Sequence, residues 1–163
     1  LVLEAFAAMP EYHLTVCGKV SPHDPFVQAY KHELYELPNI HTVGWTDPGS
    51  VQFRKICEES LGIIYPSCAE GCAGSVVLCM HTGLIPIVSR ESGVDTETFG
   101  ITLRENTIQA IQAAVRELSA LSPDALKSRA IATWTYARNH HTREKFAEAF
   151  DGFVDMLEQT YKK

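Results

Sequence analysis

Leu61-Gly-Ile-Ile-Tyr65, then Pro66-Ser-Cys-Ala-Glu-Gly-Cys-Ala-Gly74, then Ser75-Val-Val-Leu-Cys-Met-His-Thr-Gly83, then Leu84-Ile-Pro-Ile-Val-Ser89: the fold is decided in these residues. The first block is nearly continuous in apolar character, as expected of a strand covered on both faces of a parallel sheet, and it stops at Pro66. Val76, Val77 and Met80 then recur at helical spacing, Gly83 ends that helix, and residues 85–88 make another strand. A strand, a loop, a helix and a strand joined by short connections form a right-handed parallel crossover.

The same punctuation repeats on either side. Upstream, residues 13–17 read as a strand ending at Gly18, and Asp24-Pro25 supplies an N-cap and first residue for a helix with a predicted stripe of Phe26, Tyr30, Leu34 and Leu37. Residues 40–43 form a second strand ending at Gly44, and Asp47-Pro48 repeats the cap-and-proline signal ahead of Val51, Ile56 and Cys57. Downstream, residues 101–103 are a last strand. Three helices follow: one from near Asn106 carrying Ile108, Ile111, Val115 and Leu118; one opened by Ser122-Pro123 carrying Leu126, Ala130 and Trp134; and one from near Thr142 carrying Phe146, Phe150, Phe153, Leu157 and Tyr161. The aromatic stripe of the last helix must pack on something, either this domain's core or, in part, a surface facing another domain. The alternation predicts an α/β, Rossmann-like, doubly wound parallel sheet of about five strands with helices on both faces, one domain spanning 1–163. No repeat, low-complexity segment or linker interrupts it.

Composition agrees with this class. The chain has 163 residues, 45% hydrophobic and 21% charged, enough for one buried core. A net charge of −6 argues against nucleic acid or an anionic membrane surface as partner. No apolar run approaches the ~20 residues that span a bilayer, and the opening residues lack a basic signal-peptide region, so a cytoplasmic protein is expected. The odd count of five cysteines, scattered in apolar surroundings, predicts reduced thiols. Val2, Phe6 and Met9 already follow a helical period with no capping residue before them. The chain is therefore expected to open inside a helix, as a piece of a longer polypeptide.

Ligands of open α/β sheets bind beyond the carboxyl ends of the strands, where Gly18, Gly44 and the 66–74 loop are expected to converge. Gly71 and Gly74 let backbone approach a ligand, and the N–H groups entering the next helix suit the anionic oxygens of a diphosphate. Glu70 would repel phosphate, so its natural partners are hydroxyl donors such as those of a sugar carried on that phosphate. A tight turn with an incidental glutamate is the plainer alternative. Lys19 reads either as a phosphate contact or as an exposed turn lysine. Cys68, Cys72, Cys79 and His81 lack the paired spacing of a metal site, so no metal is expected and the cysteines read as small buried side chains. His140 and His141 read as a solvated helix end favouring the protonated ring.

The segment from Pro66-Ser67 through Glu70-Gly71, Cys79-Met-His-Thr-Gly83 and Ile85-Pro-Ile-Val-Ser89 resembles the carboxyl-terminal, nucleotide-sugar-binding half of the GT-B-fold retaining glycosyltransferases of family 4, or group 1. The likeness extends over nearly the whole chain, through the opening Leu1-Val-Leu-Glu-Ala-Phe, the strand before Gly18, and Asn39-Ile40 with Val43-Gly44. It implies that Glu70 acts at the donor sugar's hydroxyls and that backbone at Gly71, Cys72, Ala73 and Gly74 holds the diphosphate, with Gly44 and Trp45 near the base. It also places Leu78 where the family's second glutamate binds the ribose. A leucine accepts no hydrogen bond, and losing that contact is worth about 1.5–3 kcal/mol, one to two decades in affinity.

The family's diphosphate-neutralising arginine and lysine lie upstream of the position of Leu1. By this resemblance the chain is the donor-binding half of an enzyme moving a sugar from a nucleotide-diphosphosugar to an acceptor with retention, without a further cofactor. The acceptor site, and any membrane association, belong to an amino-terminal domain, and this half alone is expected to be inactive. Leu78 motivates the alternative, a degenerate, non-catalytic binding or assembly domain of the same fold. A nucleotide-sugar epimerase or another α/β domain sharing the sheet is a weaker third reading.

Overall fold

The computed structural model describes residues 1–161. Leu1 stands at the head of helix α1 (Val2–Ala7), its ammonium 2.6 Å from Glu4 Oε2, as the uncapped helical pattern predicts. Leu3, Ala5, Phe6 and Met9 are buried, and this face drives α1 into the core. Asn39 holds the helix's exit, its buried Nδ2 donating to the carbonyls of Phe6 (2.9 Å), Tyr12 (3.0 Å) and Met9 (3.3 Å).

The remaining elements follow in order: β1 (Leu14–Cys17), α2 (Pro25–Ala29), α3 (Lys31–Tyr35), β2 (Ile40–Gly44), α4 (Val51–Glu58), β3 (Gly62–Tyr65), α5 (Gly74–Met80), β4 (Ile85–Ser89), a 3-10 turn (Arg90–Ser92), β5 (Ile101–Leu103), α6 (Ile108–Ser119), α7 (Pro123–His140) and α8 (Arg143–Tyr161). Every strand pairing is parallel. This is the expected Rossmann-like, doubly wound α/β arrangement with one difference. Hydrogen bonding joins β1 to β2 and β3 to β4 to β5, and among the described residues the two groups share no ladder. They are united by side chains instead: Ile40 of β2, Ile85 and Ile87 of β4, Leu34 of α3 and Ile111 and Leu118 of α6 lie in one buried cluster with the α1 residues. Burial of each such aliphatic side chain stabilises by about 1.5–3 kcal/mol.

Several local expectations shift. The helix announced by Asp24 forms, with its carboxylate accepting from the Phe26 N–H at 2.8 Å, but the chain breaks at Tyr30 and restarts as α3. The break resets the helical period, so Val27 and Leu34 are buried while Phe26 is exposed. Asp47 is not the cap of α4: its Oδ1 closes a turn on the Gly49 N–H, and Ser50 caps the helix through Phe53 N–H. The helix expected from near Asn106 is capped by Thr107, and Ser122 caps α7 as expected.

Among the described strands, β4 alone is buried at every residue. β3 is half-buried throughout, because β4 is its single hydrogen-bonded neighbour. On α7 the buried residues are Thr133 and Ala137, and the Leu126–Ala130–Trp134 stripe is half-buried to exposed. Small side chains let that helix come close to α5 and β4, and a tryptophan in their place would hold it off. The aromatic stripe of α8 is not part of the core. No residue of α8 is buried, and Phe146, Phe150 and Phe153 are 72%, 54% and 51% exposed.

Candidate functional site

The carboxyl ends of the strands carry the residues that the sequence singles out. β1 and β2 finish side by side, with Gly18 N–H donating to Gly44 O at 3.0 Å and Gly44 in the left-handed region at φ +74°. Lys19 and Trp45 extend from these ends, both exposed. On the other strand group, β3 leads into the 66–74 loop and on into α5, with Leu78 half-buried on that helix. Among the described residues, no hydrogen bond or ion pair joins Lys19, Gly44 or Trp45 to this loop.

The loop is held from beneath. Ser67 O accepts from Ser89 Oγ at 2.6 Å and from Asn106 Nδ2 at 3.3 Å, so the ends of β3, β4 and β5 meet at one carbonyl. Farther along, Glu70 N–H donates to Glu91 O (3.0 Å) and Ala73 N–H to Ser92 O (2.9 Å). Gly93 is pressed against the same segment at φ +66°, and a Cβ there would lie 2.3 Å from Gly71 O. None of Ser89, Ser92, Gly93 or Asn106 is named by the sequence reading as a site residue. Gly93, shortly after a strand end, was the one visible cue, since a left-handed turn with close backbone approach requires glycine.

These contacts sort the residues of the loop. Ala73 is buried and its N–H is already engaged, so that amide is not open to a ligand. The amides of Gly71, Cys72 and Gly74 have no partner among the described residues, and all three residues are exposed. Glu70 is exposed too, and its Oε1 accepts a 2.7 Å hydrogen bond from the Tyr65 hydroxyl. That bond, with lesser contributions from burial and the carboxylate's charge, pushes the Tyr65 phenol above its ordinary range. An open depression of about 430 Å³ is lined by Arg90, Gly93, Asp95 and Glu97 among others, and neither Glu70 nor residues 71–74 line it.

Two side-chain expectations are corrected. His141 does not favour its charged form: its ring is half-buried, and burial first, then the neighbouring His140 and His81, hold it below the usual histidine range. Of the cysteines, all of them free, only Cys57 and Cys79 are buried, and Cys17, Cys68 and Cys72 are exposed. Burial pushes the Cys79 thiol up to about 12.

No family model matches this sequence, and no curated protein matches it. Among solved structures, the chain is similar to a glycosyltransferase from Rickettsia africae ESF-5, with a TM-score of 0.75 at 16% sequence identity. The fold is shared with part of a glycosyltransferase. The similarity takes in 99% of this chain and 44% of that one, so the chain spans under half the length of its structural neighbour. At this identity the likeness is one of fold. No helix among the described residues is long and apolar enough to cross a membrane.

Proposed function

We propose that this chain is the donor-binding half of a retaining GT-B glycosyltransferase that acts in the cytoplasm on a nucleotide-diphosphosugar. One observation carries the reading: an exposed carboxylate, Glu70, stands on a clamped loop directly before the unpartnered amides of Gly71, Cys72 and Gly74. A carboxylate accepts from sugar hydroxyls and amides donate to diphosphate oxygens, so the two halves of one ligand find complementary groups a few residues apart. The similarity in fold to a glycosyltransferase supports the same reading.

In this role the chain positions the donor and steadies the departing diphosphate electrostatically, with Lys19, Gly44 and Trp45 bounding the nucleotide end. The acceptor is supplied by a second domain closing over the loop, and the chain alone performs no transfer. Leu78, half-buried on α5, favours a second reading, in which nucleotide binding has been lost and the domain serves binding or assembly.

Nitrogen-15 NMR of the chain titrated with UDP-glucose, UDP-N-acetylglucosamine and GDP-mannose tests the proposal. At least one sugar nucleotide is expected to shift the amides of Gly71, Cys72 and Gly74, and Glu70→Gln to weaken that binding by about tenfold. Leu78→Glu should strengthen binding or leave it unchanged. If no donor binds at millimolar concentration and Leu78→Glu restores binding, the degenerate reading replaces this one. Sugar transfer by the chain alone would overturn the requirement for a second domain.

A further inference from the structure

Glu70 lies on an exposed loop, where a free glutamate side chain samples many rotamers. Ordering it on a ligand costs that rotamer freedom. The fold contains a device that removes this freedom. Tyr65 is the last residue of β3, its backbone fixed by the ladder to Val88 of β4 and its ring packed against the buried cluster of Val76, Met80 and Val88. From that rigid base its hydroxyl reaches across the loop to Glu70 Oε1 at 2.7 Å, the length of a charge-assisted O–H···O⁻ bond. The other end of the loop is fixed independently by the Glu70 N–H to Glu91 O bond, so backbone and carboxylate of the same residue are each tied to a different strand end.

We propose that Tyr65 is a positioning residue that presets the Glu70 carboxylate for the sugar moiety of the donor. The inference rests on the reading of Glu70 as the acceptor of donor hydroxyls. One hydrogen bond to Oε1 occupies one of roughly four acceptor positions of a carboxylate, leaving Oε2 and part of Oε1 for a pair of ligand hydroxyls. The phenol holds its proton above its ordinary range because it donates to Glu70, so the donor persists throughout neutral pH. Phenylalanine at this position keeps the ring in its apolar seat and removes only the hydroxyl.

The test compares each sugar nucleotide with its own nucleoside diphosphate, UDP-glucose with UDP and GDP-mannose with GDP, by NMR titration of the chain. Tyr65→Phe is expected to raise the Kd for the sugar nucleotide about 3–10-fold while leaving the nucleoside diphosphate within twofold of wild type. On a Glu70→Gln background, Tyr65→Phe should add no more than a twofold loss, because Tyr65 acts through Glu70. Equal losses for both ligands, or full additivity in the double variant, would overturn the assignment.

A second measurement needs no ligand. Three-bond couplings about Glu70 χ1 should report one dominant rotamer in the wild-type chain and averaging in Tyr65→Phe. Averaging already present in the wild type refutes the preset carboxylate. Should no sugar nucleotide bind while the single rotamer depends on Tyr65, the positioning stands and the donor-binding reading of Glu70 fails.

Discussion

Placing a methyl group on Gly93 tests the clamp under the candidate loop most directly. In Gly93→Ala the new Cβ would lie 2.3 Å from Gly71 O, 2.9 Å from the Gly71 carbonyl carbon and 3.3 Å from Cys72 Cα, all backbone atoms without a flexible end to swing aside. The residue would also keep φ near +66°, which costs a non-glycine residue about 1–2 kcal/mol. Relief requires the loop to move away, breaking the Glu70 N–H to Glu91 O and Ala73 N–H to Ser92 O bonds, each worth about 0.5–1.5 kcal/mol. Against this, alanine reduces the freedom of the unfolded chain by about 0.4–1 kcal/mol. The balance is a loss of about 2–4 kcal/mol, or a fall of ~1–2 M in the urea midpoint. Gly71→Ala is the control, since a Cβ there meets nothing within 4 Å, and its stability should stay within ~0.5 kcal/mol of wild type. Equilibrium urea unfolding followed by circular dichroism measures both. A Gly93→Ala midpoint indistinguishable from wild type refutes the close-approach argument, and with it the claim that the 90–93 turn shapes the loop.

Asn39→Ala should cost about 2–3 kcal/mol in the same unfolding assay, because a buried amide that serves the carbonyls of Phe6, Met9 and Tyr12 is lost and those acceptors stay desolvated. Thiol titration with a disulfide reagent at pH 8 should label Cys17, Cys68 and Cys72 in the native chain, and Cys57 and Cys79 only after unfolding, as the buried Cys79 thiol sits near 12. His141 is held below its ordinary range in the folded chain, so the unfolded chain takes up a proton first as pH falls. The stability this neutral ring contributes is present above about pH 6.5 and lost below it. His141→Phe should flatten that acid limb, and an unchanged slope counts against the burial argument.

Much of the fold was legible because it is written in local signals. Asp24-Pro25 and Ser122-Pro123 start helices by capping chemistry that involves only neighbouring residues, and both act where expected. Residues 85–88 read as a strand and form β4, whereas the full burial expected of the strand at 61–65 falls on β4 instead. Glu70 with Gly71 and Gly74 stood out on the same terms, because residue type and spacing announce a loop where backbone approaches a ligand. Where local signals competed, reading failed. Asp47 and Ser50 are both competent caps three residues apart, and Ser50 caps α4 while Asp47 closes the turn before it.

The sequence by itself determined the order of strands and helices, their parallel connection and the loop that carries Glu70, since periodicity, caps and glycines act within a few residues. Tertiary structure alone decided what holds and aims that loop. Ser89, Asn106 and Gly93 reach it from other strand ends, at separations in the chain that no local pattern encodes, and the fold turns the neighbouring Tyr65 hydroxyl onto Glu70. It also decided the fate of the α8 aromatics. A helical stripe of Phe146, Phe150 and Phe153 specifies an apolar face but not the surface that covers it, and among the described residues nothing packs close enough to bury it.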